Sequence, residues 1–260
     1  MLSYQHIYHA GNLADVHKHA LLACVLSYLT RKDKPISYLE THAGRAVYNL
    51  VSDEAVKTGE ARQGIQNPDI AAWFAPDHPY SHVIAQTRQT HGDTFYPGSP
   101  KIAETLLRNI DTLHLAELHP QESHALQIAM GDGVKVYQKD GFAMAQSLCP
   151  PTPRRGVLLI DPSYEIKSDY STLPTFIAQI AKKWNVGTIL LWYPVLKDGG
   201  YVQMVKTLSR QFPDAVDHRV AFPPAREGHR MVGSGMFCIN PTYGLHSEMD
   251  RLSKKFASLG

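Results

Sequence analysis

The sequence predicts an α/β fold, a parallel sheet covered by helices on both faces. Two observations predict it: short apolar runs of strand length recur along the chain, and segments of helical period separate most of them. A third adds detail. Between about residues 51 and 98 the alternation gives way to a block rich in Gly, Asp, Pro, His and Gln, which reads as an inserted, mainly helical subdomain.

The first helix spans about residues 13–29, where Leu13, Val16, Ala20, Leu21, Cys24, Val25 and Tyr28 recur at helical spacing and Asn12 caps the first turn. "PISYLETHAG" is a buried strand over residues 36–40 that runs into a turn at Ala43-Gly44. Within the inserted block, residues 70–74 and 82–90 are helical stretches. "TLHLAELHP" is a strand from Leu113 that ends in Glu117, and a helical stretch with Leu126 and Ala129 follows. "VKVYQKDGF" is a strand whose exit carries Asp140-Gly141. A helix over residues 142–148 leads to the strand "GVLLIDPSY", then come a helix over 173–184, the strand "GTILLWYP" over 187–194 and a helix over 200–211. Two late strands lie near residues 215–222 and 236–240.

Composition narrows the function. With 43% hydrophobic and 19% charged residues the chain has the makeup of a globular protein rather than a disordered or fibrous one. No apolar run reaches the roughly 18 residues of a membrane span, and the first residues lack a signal-peptide pattern, so a cytoplasmic location and no membrane partner are expected. The three cysteines, Cys24, Cys149 and Cys238, form no Cys-x-x-Cys pair and read as reduced core residues. A net charge of +2 is too small to identify a nucleic-acid binder, although basic clusters occur at Arg154-Arg155, Lys182-Lys183, Arg226 with His229-Arg230, and Arg251 with Lys254-Lys255. A monomer is expected, since no long exposed apolar stripe stands out.

In a parallel sheet, ligands bind beyond the carboxyl ends of the strands. Four successive strands here end in acids or polar loops: Glu40-Thr41-His42 with Gly44, then Glu117, Asp140-Gly141, and Asp161-Pro162-Ser163-Tyr164. A glycine turn lets a ligand approach the backbone, an acid at the next strand accepts ribose hydroxyls, and Asp140 can accept from an adenine amine. Together they suggest an adenosine-containing cofactor, although "HAGRA" is not a nucleotide-binding glycine fingerprint and a plain strand-to-helix turn stays open. An exocyclic purine amine is a poor nucleophile because its lone pair is delocalised into the ring. Asp161 and the Pro162 carbonyl suit the task of holding such an amine, and Tyr164 that of stacking on the base.

The order of the blocks "MLSYQHIYHAGNLADVHKHA", "LETHAG", "KTGE", "YPGSP", "ELHP", "DGF", "RRGVLLIDPSYE", "LWYPV" and "GSGM" resembles the 23S ribosomal RNA N6-adenine methyltransferases of the RlmJ type over nearly the whole chain. The resemblance implies a Rossmann-like class I S-adenosylmethionine-dependent methyltransferase, with residues 1–50 and 99–260 forming the main domain and 51–98 the inserted helical subdomain. It implies S-adenosylmethionine as cofactor, S-adenosylhomocysteine as product, no metal, and 23S ribosomal RNA free of ribosomal proteins as partner. Cofactor contacts then fall on Lys18, His19, His42, Ser99, Glu117, Asp140 and Gly141, the catalytic acid on Asp161, and the target base near Tyr4 and His6. The chain departs from the family pattern at Ser163, where proline is usual, at Glu40, where aspartate is usual, and at Ala46, where a second glycine is expected.

Competing readings are a metal-dependent nuclease built on the early histidines, a non-catalytic nucleic-acid-binding protein for the use of external DNA, and a DNA adenine methyltransferase. His6 and His9 have i, i+3 spacing but no paired carboxylate signature, and acids gathered at one rim repel phosphate. The Asp-Pro-x-Tyr chemistry specifies a reaction rather than a molecule, so the choice of RNA rests on the resemblance.

Overall fold

The computed structural model describes residues 4–223 and 230–259. Arg226 and His229 of the basic clusters lie outside the described residues. Helix α1 (Leu13–Thr30) is capped by the Asn12 side chain, which accepts from the Asp15 amide. Strand β1 (Ser37–Glu40), buried along its length, leads to the short β2 (Val47–Asn49). Helices α2 (Asp53–Thr58), α3 (Pro68–Ala71) and α4 (Pro79–His91) follow before β3 (Phe95–Pro97) returns antiparallel to β2. The chain continues through α5 (Ser99–Leu106), β4 (Thr112–Ala116), α6 (Pro120–Ala129), β5 (Lys135–Tyr137), α7 (Gly141–Leu148) and β6 (Gly156–Ile160). It closes with α8 (Asp169–Lys183), β7 (Thr188–Leu196), α9 (Tyr201–Gln211), β8 (Val216–Ala221), β9 (Met231–Ile239) and α10 (Leu245–Ala257).

The main sheet has the order β5-β4-β1-β6-β7-β9-β8. Strands β5, β4, β1, β6 and β7 are parallel, and β9 runs antiparallel between β7 and β8. The chain moves outward from β1 through β4 to β5 and then crosses back to β6. That reversal opens a crevice at the carboxyl ends of β1 and β6, where ligands of such sheets sit. Side chains alternate between two cores, as the two-residue period of a strand requires: Tyr38, Val157 and Leu159 face one core, and Leu39, Leu158 and Ile160 the other. The expected α/β class with helices on both faces is the observed one.

Three features were not anticipated by the pattern of apolar residues. Strand β9 begins at Met231 rather than at residue 236, because Gly233, Ser234 and Gly235 dilute its apolar character while its backbone pairs with both neighbours. Helices α5 and α10 also lie outside the expected elements. The proline-containing start of α5 reads as a turn, and the charged face of α10 masks the helical spacing of Leu245, Met249, Leu252 and Phe256, all buried. The basic cluster at Arg251 is part of that helix, where the guanidinium binds Glu248 and the carbonyl of Trp73.

Helix α1 is buried around most of its circumference, and its polar side chains are buried as well: Asp15, His17, Lys18 and His19 are all at most 3% exposed. The β2–β3 pair forms the neck of the segment 50–94. Trp73, Phe74, Tyr80 and Val83 of that segment belong to the same core as α1 and α10, so the segment is anchored on the first helix.

Gly141 opens α7 at the point where that helix nearly touches the loop after β1. A Cβ there would lie 1.8 Å from the Thr41 carbonyl oxygen. Gly141→Ala is expected to cost about 1–3 kcal/mol of stability by overpacking, read from the midpoint of a urea titration.

Candidate functional site

One cavity occupies the crevice, enclosing about 1120 Å³ of atom-free space with the open mouth included. Its wall contains Tyr4, His6, Lys18, His19, His42, Gly44, Ser99, Glu117, Asp140, Gly141, Asp161 and Pro162. Thirteen helices and strands, α1 to β6, separate the first of these from the last, and the strand order brings them together. Gly44 sits at φ +63, and a Cβ there would fall 2.3 Å from the Tyr48 hydroxyl, so the turn after β1 needs glycine. Glu117 follows β4 and accepts from the Gly44 amide at 2.8 Å and from the His119 amide at 2.7 Å. Burial pushes its carboxyl upward from the ordinary range, against those two amide bonds. Asp140 caps α7 through the Ala143 amide at 2.9 Å.

The three adjacent polar residues of α1 point in three directions, as a 100° step per residue dictates. His17 bonds Ser234 at 2.8 Å and His218 at 2.9 Å, away from the cavity. Lys18 reaches the cavity floor, where Nζ donates to Asp161 Oδ2 at 2.5 Å, lies 3.1 Å from Asp15, and stands 5.5 Å from the Trp192 ring centre. Burial opposes the lysine charge, but the two carboxylates overcome it and raise its pKa. His19 Nδ1 pairs with the Tyr96 hydroxyl at 2.7 Å, and burial pushes its pKa down to about 3, so the ring is neutral. Its buried Nε2 has no hydrogen-bond partner among the described residues, the Asp15 carboxylate being 3.7 Å away. His42 is likewise neutral, burial lowering its pKa to about 4, and its ring meets Phe142 edge to face at 5.1 Å.

At the other end, Tyr4 donates to His6 Nδ1 at 2.9 Å, and His6 Nε2 reaches Asp15 at 2.9 Å. Tyr4 also stacks on His9 at 5.8 Å, and His9 pairs with Glu60 at 2.9 Å. Both early histidines are thus engaged with carboxylates that no local spacing reveals. Among the described residues one group of His, Cys and acidic side chains is close enough to share a metal, Cys24 with His78 and Glu248, and none of the three lines the cavity. His78 Nδ1 accepts from the Tyr80 amide and Glu248 is held by both arms of Arg251. In that hydrogen-bonding pattern Nε2 carries the proton, which leaves no lone pair for a metal.

Tyr164 departs from its expected place. Its backbone is left-handed at φ +56, its ring is buried against Tyr170 at 4.7 Å, and its hydroxyl donates to the Trp192 carbonyl at 2.6 Å. The ring therefore braces the loop from behind and does not line the cavity or offer a face to a base. Several cavity residues had no sequence signal of their own, among them Phe142, His119 and Glu122, the last bound by both arms of Arg45. Of the departures from the family pattern, Ala46 occupies a left-handed backbone at φ +67, a conformation that costs a non-glycine residue roughly 1–2 kcal/mol. Glu40 is fully buried and accepts from Ser99 and, at 2.9 Å, from Tyr38. The Ser163 hydroxyl accepts from the Glu165 amide at 3.4 Å.

Comparison with known proteins matches residues 33–258 to the family described as Ribosomal RNA large subunit methyltransferase D, RlmJ. Ribosomal RNA large subunit methyltransferase J of Escherichia coli (strain K12) is 37% identical over 97% of this chain and 91% of its own. The Haemophilus influenzae protein of the same name is 36% identical over 97% of this chain and 92% of its own. A crystal structure of a Legionella pneumophila protein is 34% identical, with a TM-score of 0.83 over 96% of this chain and 94% of that one.

Burial raises the pKa of Glu40 to about 8 from an ordinary 4.5, against its two hydroxyl donors. The native state then holds a proton that the unfolded chain releases, so stability falls as pH rises between those values. Thermal melts of wild type from pH 5 to 8 are expected to show this decline, and Glu40→Gln to flatten it.

Proposed function

The chain belongs to the RlmJ family of large-subunit ribosomal RNA methyltransferases, and we propose that it uses S-adenosylmethionine to methylate the N6 amine of one adenine in 23S ribosomal RNA. The observation that carries this reading is the meeting of Glu117, Asp140 and Asp161 on one cavity at the reversal of the sheet. Choice of RNA over DNA follows the relatives' names, and it disfavours the external-DNA reading.

The residues present fit the cofactor. The unpartnered buried Nε2 of His19 and the Gly44 turn suit a close-lying polar ligand. Glu117 is oriented by two amides with further lone pairs open to ribose hydroxyls, and Asp140 with Phe142 suits an adenine edge and face. Lys18, His42 and Ser99 complete the lining.

S-adenosylmethionine supplies a methyl group made electrophilic by a sulfonium. Asp161 Oδ1 and the Pro162 carbonyl accept the two amine hydrogens of the target adenine, so the nitrogen pyramidalises and turns its lone pair outward. On transfer the surplus proton of the amine would pass to the Asp161 carboxylate. Lys18 holds Oδ2, which fixes the carboxylate plane and keeps Oδ1 for the amine. Tyr4 and His6 border the base, which leaves its helix at a cost of a few kcal/mol. Positioning of this kind supplies on the order of 7–11 kcal/mol of a two-substrate barrier.

Titration calorimetry is expected to give micromolar binding of S-adenosylmethionine and S-adenosylhomocysteine, and tritium transfer to unmodified 23S RNA should follow. Absence of cofactor binding would refute the reading. Asp161→Ala is expected to lower transfer by on the order of a hundred- to ten-thousand-fold with cofactor still bound. Tyr4→Ala should slow transfer while cofactor affinity stays within about threefold, a ratio of roughly 0.7 kcal/mol; an equal loss of cofactor binding would remove Tyr4 from the base side.

A further inference from the structure

Asp15 lies in the first turn of α1 and is 1% exposed. Its carboxylate accepts from the Gly11 amide at 2.8 Å, from His6 Nε2 at 2.9 and 3.1 Å, and lies 3.1 Å from Lys18 Nζ. The Asn12 side chain fixes its backbone. It does not line the cavity. Asp15 holds residues from two separate parts of the cavity wall. On one side His6 carries Tyr4, the base-side pair. On the other, Lys18 carries Asp161.

We propose that Asp15 is a positioning residue for methyl transfer: its carboxylate aims the Lys18 ammonium at Asp161 and ties the base-side segment to that ammonium. The proposal rests on the methyltransferase reading. Lysine has a flexible four-carbon stem and a point charge with no directional fork, so one carboxylate does not by itself define where Nζ sits. Two acids on opposite sides, with the Trp192 ring on a third, leave it one place. A second effect follows from charge. Lys18 shared with Asp15 neutralises Asp161 only in part, so Asp161 keeps a strong acceptor oxygen for the amine and remains able to take its proton. Burial alone would raise the Asp15 pKa, but the hydrogen-bonded His6 and the Lys18 charge lower it well below the ordinary range, which keeps the acid ionised for this task.

The test is a double-variant cycle on the full chain, with 23S RNA and S-adenosylmethionine. Asp15→Asn keeps shape and removes the charge. In the wild-type background it should lower kcat at saturating cofactor by about 30-fold, close to 2 kcal/mol, with the cofactor Kd within about threefold. In the Lys18→Met background it should cost less than about threefold more, because the ammonium it aims is already gone. Equal losses in both backgrounds, or a loss confined to cofactor affinity, would overturn the proposal. Should Asp15→Asn not yield folded protein by circular dichroism, the pair His6→Asn and Lys18→Met takes its place. Asp15 joins these two, so their combined loss must fall short of the product of the single losses; a full product overturns the proposal. Failure of the underlying reading looks different, since wild type itself would then neither bind cofactor nor transfer methyl.

Discussion

A lysine ammonium buried between two carboxylates is the interaction on which the site depends. Lys18, Asp15 and Asp161 are 4%, 1% and 12% exposed at their side chains, so bulk water screens them little. Each charge is tolerable there only with the others present, and removing one partner of such a pair typically costs about 3–5 kcal/mol. The architecture answers this by bringing a rigid helix and a rigid strand end together at one point. Helix α1 fixes two of the charges one turn apart, and β6 delivers the third. Everything that positions α1, including the segment 50–94 and α10, is therefore part of the support for the reacting centre.

The same helix separates three kinds of polar contact that are adjacent in sequence. His17 is committed to a buried histidine and serine on the β9 side, Lys18 to the acids, and His19 to a tyrosine pair. The two histidines beside the lysine are held neutral by burial. A neutral neighbourhood matters because additional positive charge next to Lys18 would compete for Asp161.

Much of the site was legible because strand ends are marked by abrupt changes from apolar to acidic residues. Glu117 and Asp161 follow apolar runs directly and Asp140 stands just past a third strand, beyond Gln138 and Lys139; the parallel-sheet rule then collects them on one edge. The left-handed backbone of Ala46 was legible only as a departure from a family pattern. Other features were hidden because they depend on pairing across long sequence distances. The partnership of His9 with Glu60 reaches into the segment 50–94, and the role of Asp15 emerges only when Lys18 is seen beside a residue more than a hundred positions away. Tyr164 illustrates a different limit: a motif fixes which residue is present, whereas the backbone angle decides whether its ring faces the ligand or the core. Strand β9 was shortened in the reading for a related reason, since the buried Ser234 that interrupts its apolar run is satisfied by His17 and Trp192 from other elements.

The burial of α1 also bears on how the chain matures on the ribosome. This helix is synthesised early; α4 and α5 pack on it first, and its cover is completed by β9 and α10, the final two elements among the described residues. A nascent chain carrying α1 alone exposes an apolar cylinder; its Asp15–Lys18 pair lies within one helical turn, whereas the Lys18–Asp161 pair waits for β6. Contacts of such long sequence separation close slowly, and uncovered apolar surface is what chaperones bind. The charged cluster of the candidate site is thus complete once β6 has brought Asp161, and the cover of α1 only once β9 and α10 have followed.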